Sequence, residues 1–210
     1  MKNENLIIQN KFSSAIENLK NKNLDYAQKL FEEILKIDPN HLNSICHLGL
    51  IFSNTKKFEL ASKMFLSALK INPKNASINN NLGNIYFELG DIQKSLNFFS
   101  NAIKVDPNFI DAHFNSSLVL KSIGKLNEAI DHLNIIIKIN PDDIRAYINI
   151  ALILQNKGEI KKSIEYFIKA INIDPNNLTA INLFLQLIKS VKLVNLKENN
   201  AKEIKNIFYL

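Results

Sequence analysis

All five prolines of this chain stand 34 residues apart, at Pro39, Pro73, Pro107, Pro141 and Pro175. Proline interrupts helices and marks turns, so the even spacing of every proline means one supersecondary unit copied five times. The five glycines keep the same step, with Gly49 and Gly83 in one column and Gly90, Gly124 and Gly158 in another. Such a chain is a linear array with one continuous core, in which each unit packs mainly on its neighbours.

Counting back from each proline places the units at 8–41, 42–75, 76–109, 110–143 and 144–177, after an N-terminal extension over 1–7. In the second unit, Ile45, Leu48, Gly49 and Phe52 follow the i, i+3, i+4, i+7 spacing of one helix face. A polar break runs from Asn54 to Lys57, and then Phe58, Ala61, Phe65, Ala68 and Leu69 mark a second amphipathic helix. Each unit is thus expected to be two antiparallel helices joined by a short turn.

Two columns stay small. Position 8 of the units reads Ala15, Gly49, Gly83, Ser117, Ala151, and position 20 reads Ala27, Ala61, Ser95, Ala129, Ser163. A large side chain at either would hold two helix backbones apart, at a cost of about 1–3 kcal/mol. The bulky column, position 24, reads Phe31, Phe65, Phe99, Leu133, Phe167. Gly90, Gly124 and Gly158 stand where a left-handed residue would end the first helix, and Lys22 and Lys56 replace them in the first two units.

A 34-residue helix–turn–helix with small residues at 8 and 20, an aromatic at 24 and proline at 32 resembles the tetratricopeptide repeat family over residues 8–177. The resemblance implies an all-α fold, a right-handed alpha-alpha superhelical solenoid of five helix-turn-helix repeats plus a C-terminal helix. The first unit departs most, with Lys11, Ser14 and Asn18 at positions usually apolar, and reads as a partly exposed terminal unit. Residues 178–210 are expected to form C-terminal capping helices. The apolar stretch Leu178 to Val194 would dock on the fifth unit, while Lys197 and Tyr209 break the repeat columns. The terminal Ile207-Phe208-Tyr209-Leu210 would fold back on the last helices, unless the native chain continues into another domain.

Composition narrows the function classes. The net charge of +6 comes almost wholly from lysine, with Arg145 the only arginine, whereas nucleic-acid readers favour the bidentate guanidinium. Lys36, Lys70, Lys104 and Lys138 fall three residues before a proline, in the last turn of a helix, where a cation meets the carbonyl ends. A nucleic-acid partner is therefore not expected. Cys46 is the single cysteine, so no internal disulfide forms. The N-terminal apolar run, Leu6 to Ile8, is too short for a signal peptide, and no 18-residue apolar stretch exists. A cytoplasmic protein is expected.

Enzyme chemistry finds no foothold. All five glycines are committed to repeat columns, leaving no phosphate loop. His41, His47, His113 and His132 include no i, i+4 pair for a metal. His113 occupies a core column, and Cys46 and His47 point about 100° apart on a helix. Asp142 and Asp143 open a helix, where carboxylates cap amides. No catalytic residue, cofactor or metal is expected.

The resemblance puts the first helix of each pair on a concave wall. Positions 4, 7, 8 and 11 would face the core, and positions 2, 5, 6, 9 and 12/13 the groove. Position 6 reads His47, Asn81, Asn115, Asn149. A primary amide offers both donor and acceptor, so a row of them can pair with the main chain of an extended peptide. The row resembles the asparagine ladder of O-GlcNAc transferase-type arrays, although 32 of the 210 residues are asparagine. Beside it stand Cys46 and Leu50, Asn80 and Asn84, Phe114 and Leu118, and Ile148 and Leu152, with Asn43, Ser77, Asp111 and Arg145 at position 2. Apolar pockets beside a polar row suit a peptide with a few hydrophobic anchors. The carboxylate clamp of family members that bind chaperone tails is not matched, since its positions hold Phe12, Ile16, His47, Ser77 and Asn81.

The sequence thus reads as a protein–protein interaction module holding a protein or peptide segment. An alternative is the substrate-recruiting arm of a bacterial glycosyltransferase, sulfotransferase or methyltransferase whose catalytic domain lies outside this chain.

Overall fold

The computed structural model describes the backbone over residues 2–197 and side-chain surroundings over residues 3–191. Among the described residues there are eleven helices and no strand. They are α1 (Lys2–Lys20), α2 (Leu24–Ile37), α3 (Leu42–Asn54), α4 (Phe58–Ile71), α5 (Ala76–Glu88), α6 (Ile92–Val105), α7 (Ile110–Ser122), α8 (Leu126–Ile139), α9 (Ile144–Asn156), α10 (Ile160–Ile173) and α11 (Leu178–Lys197). Residues 2–7, set apart in the sequence as an extension, are the opening turns of α1. The expectation for Ile207-Phe208-Tyr209-Leu210 lies outside the described residues, as do the side chain of Lys197 and the whole of Tyr209.

Packing divides the chain into two compact units, Met1–Val119 and Leu120–Leu210. In the first, α1 packs on α2, α2 on α3, α3 on α4, α4 on α5 and α5 on α6. In the second, α8 packs on α9, α9 on α10 and α10 on α11.

Turn chemistry sets these pairings. Gly90, at φ +79°, takes the left-handed conformation that closes α5, and Lys22 and Lys56 adopt the same conformation at φ 60° and 58° without glycine's freedom. After α5 the Asp91 amide donates to the Tyr86 carbonyl at 2.8 Å, and the Asp91 carboxylate then caps α6 by accepting from the Lys94 amide at 3.0 Å. The link between units uses a second device. Asp38, Asp106, Asn140 and Asp174, each directly before a proline, accept from the backbone N–H two residues on at 3.0–3.2 Å. These Asx turns supply a backbone donor with a partner while the proline fixes φ.

Between paired helices the small columns meet the bulky one. A methyl added at Gly49 would come within 2.7 Å of the Phe65 ring, and one at Gly83 within 2.5 Å of Phe99. Phe31, Phe65, Phe99 and Phe167 are all fully buried, each contributing about 1.5–3 kcal/mol of apolar transfer. In the second unit, Ala151, Ile164 and Phe167 form a core that Leu187 of α11 completes, with Phe184, Ile188 and Val191 packed against it.

Position 20 hides a difference that one substitution exposes. Ser163 is buried, and its hydroxyl donates to the Ala151 carbonyl at 2.7 Å. Ser95 is equally buried, yet its Oγ has no partner among the described residues. A made hydrogen bond contributes about 1 kcal/mol, and an orphaned buried hydroxyl costs about 1–3 kcal/mol. Ser163→Ala is therefore expected to lower the midpoint of urea unfolding and Ser95→Ala to raise it, each by the equivalent of about 1 kcal/mol. Shifts of the same sign in both variants would contradict this account.

Candidate functional site

The stripe expected to face a groove divides by depth. In the first unit, position 2 residues Asn43, Ser77 and Asp111 and position 9 residues Leu50, Asn84 and Leu118 are exposed. Positions 5 and 6 lie deeper: Cys46, His47, Asn81, Phe114 and Asn115 are half-buried and Asn80 is buried. The core face is also broader than positions 4, 7, 8 and 11. Position 3 (Ser44, Ile78, Ala112) and position 10 (Ile51, Ile85, Val119) are buried as well; α3 contacts both α4 and α2, and α5 both α6 and α4, so these first helices bury two sides.

The position 6 side chains have different surroundings. The imidazole of His47 lies flat on Phe31, with ring centroids 5.1 Å apart and planes at 6°, and Phe12 of α1 leans on it at 5.7 Å. Burial pushes its pKa below the usual imidazole range. The ring is therefore neutral near pH 7 and packs as an aromatic surface. Asn81 makes no side-chain hydrogen bond among the described residues. Asn115 donates from Nδ2 to Oδ1 of Asn80 at 3.0 Å, joining α7 to α5. That bond gives a partner to the amide of Asn80, which is buried although the sequence had placed it on the open wall. Asparagine at position 5 of one unit and at position 6 of the next is the signal that would have found it.

In the second unit the corresponding side chains are on α9. Asn149 donates to the Arg145 carbonyl one turn earlier at 2.9 Å. Ile148 and Leu152 are half-buried and pack against the core around Phe167. Arg145 is exposed, but its guanidinium is held by the Asp143 carboxylate through Nε at 3.1 Å and Nη2 at 2.7 Å. Asp143 is itself buried and caps α9 by accepting from the Arg145 amide. The one arginine of the wall therefore carries its own counter-ion. Sequence reasoning gave Asp143 the capping role and missed the ion pair.

The remaining chemically capable groups are also placed. His113 is 2% exposed and donates from Nε2 to the Pro107 carbonyl at 3.0 Å. Burial pushes the pKa of the Cys46 thiol up, away from a nucleophilic thiolate. Among the described residues no group of His, Cys, Asp and Glu is arranged to hold a metal ion, and no helix is long and apolar enough to cross a membrane.

Known proteins share this architecture. Family profiles described as tetratricopeptide repeat match residues 76–109 and 144–177, and one described as TPR repeat matches residues 49–90. No curated protein matches in sequence. Among solved structures, a MamA protein is 23% identical with a TM-score of 0.73, over 82% of this chain and 94% of that one. PilF of Pseudomonas aeruginosa is 17% identical with a TM-score of 0.75, over 98% and 94%. YrrB, described as a TPR protein with an unusual peptide-binding site, is 21% identical with a TM-score of 0.67, over 82% and 89%. Identities this low establish likeness of fold alone. Repeat period, helix pairing and profile matches agree: residues 49–109 and 144–177 are tetratricopeptide repeats.

Proposed function

We propose that the chain is an interaction module that binds an extended segment of another protein on the first-helix face of its repeats. The carrying observation is the unspent hydrogen-bonding capacity of the position 6 amides. Asn81 has no partner among the described residues, and Asn115 uses one amide hydrogen and leaves its Oδ1 free. An extended peptide presents N–H and C=O groups that such amides can meet without reading its sequence. Leu50 and Leu118, about 40% exposed, supply apolar contacts on the same helices. The peptide-binding site ascribed to YrrB is a precedent on the same fold.

The two asparagines are not equivalent in a test. Asn115→Ala breaks the bond to Asn80 and is expected to cost about 1 kcal/mol of stability, whereas Asn81→Ala costs nothing measurable. Twelve-residue peptides selected from a random display library on the wild-type chain provide the probe. In the Asn81→Ala/Asn115→Ala variant, still folded by circular dichroism, their affinity is expected to fall tenfold or more, about 1.4 kcal/mol. A library that yields no binders, or binders unaffected by the double substitution, would remove the basis for this function.

A further inference from the structure

A cavity of about 640 Å³ opens in the first unit beside the C-terminal turns of α4 and α6. It is lined mainly by second helices, so it is separate from the face to which peptide binding is assigned above. Leu66, Leu69, Pro73 and Val105 give it apolar walls.

Two departures from the repeat account for the space. Position 4 holds Asn79, where the preceding unit has Ile45 and the following units have His113 and Tyr147. Position 30 holds Val105, where every other unit has isoleucine, at Ile37, Ile71, Ile139 and Ile173. Asparagine and valine are each smaller than isoleucine: Asn79, buried, withdraws volume from the packed interior, and Val105, 40% exposed, widens the mouth.

The cavity is also polar at chosen points. Asn79 is 2% exposed and donates from Nδ2 to the Asn75 carbonyl at 2.8 Å. Its Oδ1 accepts nothing among the described residues and, unlike Ser95 Oγ, is not sealed from the surface. An acceptor thus waits in a wall that is otherwise apolar. At the rim Lys70 and Lys104 are exposed, and neither forms an ion pair among the described residues. Their place in the last turns of α4 and α6 suits the helix dipole but leaves both ammonium groups without a carboxylate.

We propose that this cavity docks an acidic segment of a partner protein through one apolar side chain. The side chain fills the space between Leu66, Leu69 and Val105, and a backbone N–H of the segment donates to Asn79 Oδ1. Carboxylates on either side of the anchor meet Lys70 and Lys104. Charge complementarity selects the occupant: two unpaired cations border the apolar space, on a chain of net charge +6.

The test titrates the full-length ¹⁵N-labelled chain with a capped pentapeptide, one phenylalanine flanked by two aspartates on each side, and follows amide chemical shifts. Saturable shifts are expected at the side-chain amides of Asn79 and of Asn101, which also lines the cavity, and at the backbone of Lys104 and Val105. The Lys70→Glu/Lys104→Glu variant is expected to bind at least tenfold more weakly, and so is a peptide with alanine at its centre. Val105→Ile, which restores the residue of the other units, narrows the cavity and weakens binding without unfolding the chain. The Asn81→Ala/Asn115→Ala variant leaves the titration unchanged, which keeps the two surfaces distinguishable. Shifts that spare α4 and α6 would overturn the proposal. So would equal affinity for the central-alanine peptide, or undiminished binding by the charge-reversed variant.

Discussion

Phe99→Ala is expected to destabilise the first unit by about 3–5 kcal/mol, read as a lowered midpoint in urea or thermal unfolding. The ring is fully buried, and its removal withdraws transfer energy and leaves a cavity at once. Collapse is the usual relief, and here it is obstructed. The residue opposite is Gly83, whose missing side chain is the reason the ring fits, so nothing on α5 can lean into the space. The loss is accordingly placed in the upper part of the range. Because whole domains are stable by only about 5–15 kcal/mol, this one substitution brings the unit close to unfolding. Phe99→Leu is the control. Leucine already occupies this column at Leu133, and the exchange is expected to cost about 1 kcal/mol. Equal losses in both variants would show that the ring's volume is not what holds α5 to α6.

That the loss can be placed so narrowly reflects how the fold is encoded. Helix pairs and turns recur every 34 residues, and a feature copied five times is visible without coordinates; the glycine–phenylalanine contact occurs twice, at Gly49–Phe65 and Gly83–Phe99. Even so, one repeated device was overlooked. The Asp or Asn directly before every proline forms the Asx turn in four units, and it stood in the sequence as plainly as the prolines did. Lys22 and Lys56 show the opposite limit. Their left-handed backbone follows from the turn geometry of the other units, and their own identity argues against it.

The candidate site was legible in outline only. Periodicity correctly identifies which residues share the first helices, yet it is silent on how a side chain spends its hydrogen bonds. The Asn115–Asn80 bond joins residues 35 apart, one repeat plus one position, and so depends on how successive first helices sit together. Arg145 and Asp143 are two residues apart, but their pairing needs the capping carboxylate to be buried and turned toward the guanidinium. His47 belongs to the amide column by number and to an aromatic stack by contact. A row read as uniform is chemically varied because each member answers to different neighbours.

Gly83→Val tests the same contact from the other side and links fold to function. A Cβ at this position would fall 2.5, 2.6 and 2.8 Å from Cε1, Cδ1 and Cζ of Phe99, well inside van der Waals separation. Alanine gains about 1 kcal/mol of helix propensity over glycine, which offsets much of that strain; Ala15 and Ala151 show that the column tolerates a methyl. Valine adds two more carbons and loses rotamer freedom on the helix. The variant is expected to lose about 3 kcal/mol, because α5 must move off α6 or the ring must leave its place. Adding Phe99→Leu should recover at least about 1 kcal/mol of that loss as a coupling term in a double-mutant cycle. Strict additivity would mean that the close approach does not set the helix spacing. The consequence for binding follows from position. Gly83 lies on α5 between Asn81 and Asn84, so a displaced α5 also carries the proposed peptide contacts out of register. Gly83→Val should therefore weaken selected peptides more than Phe99→Leu does, even where both variants remain folded.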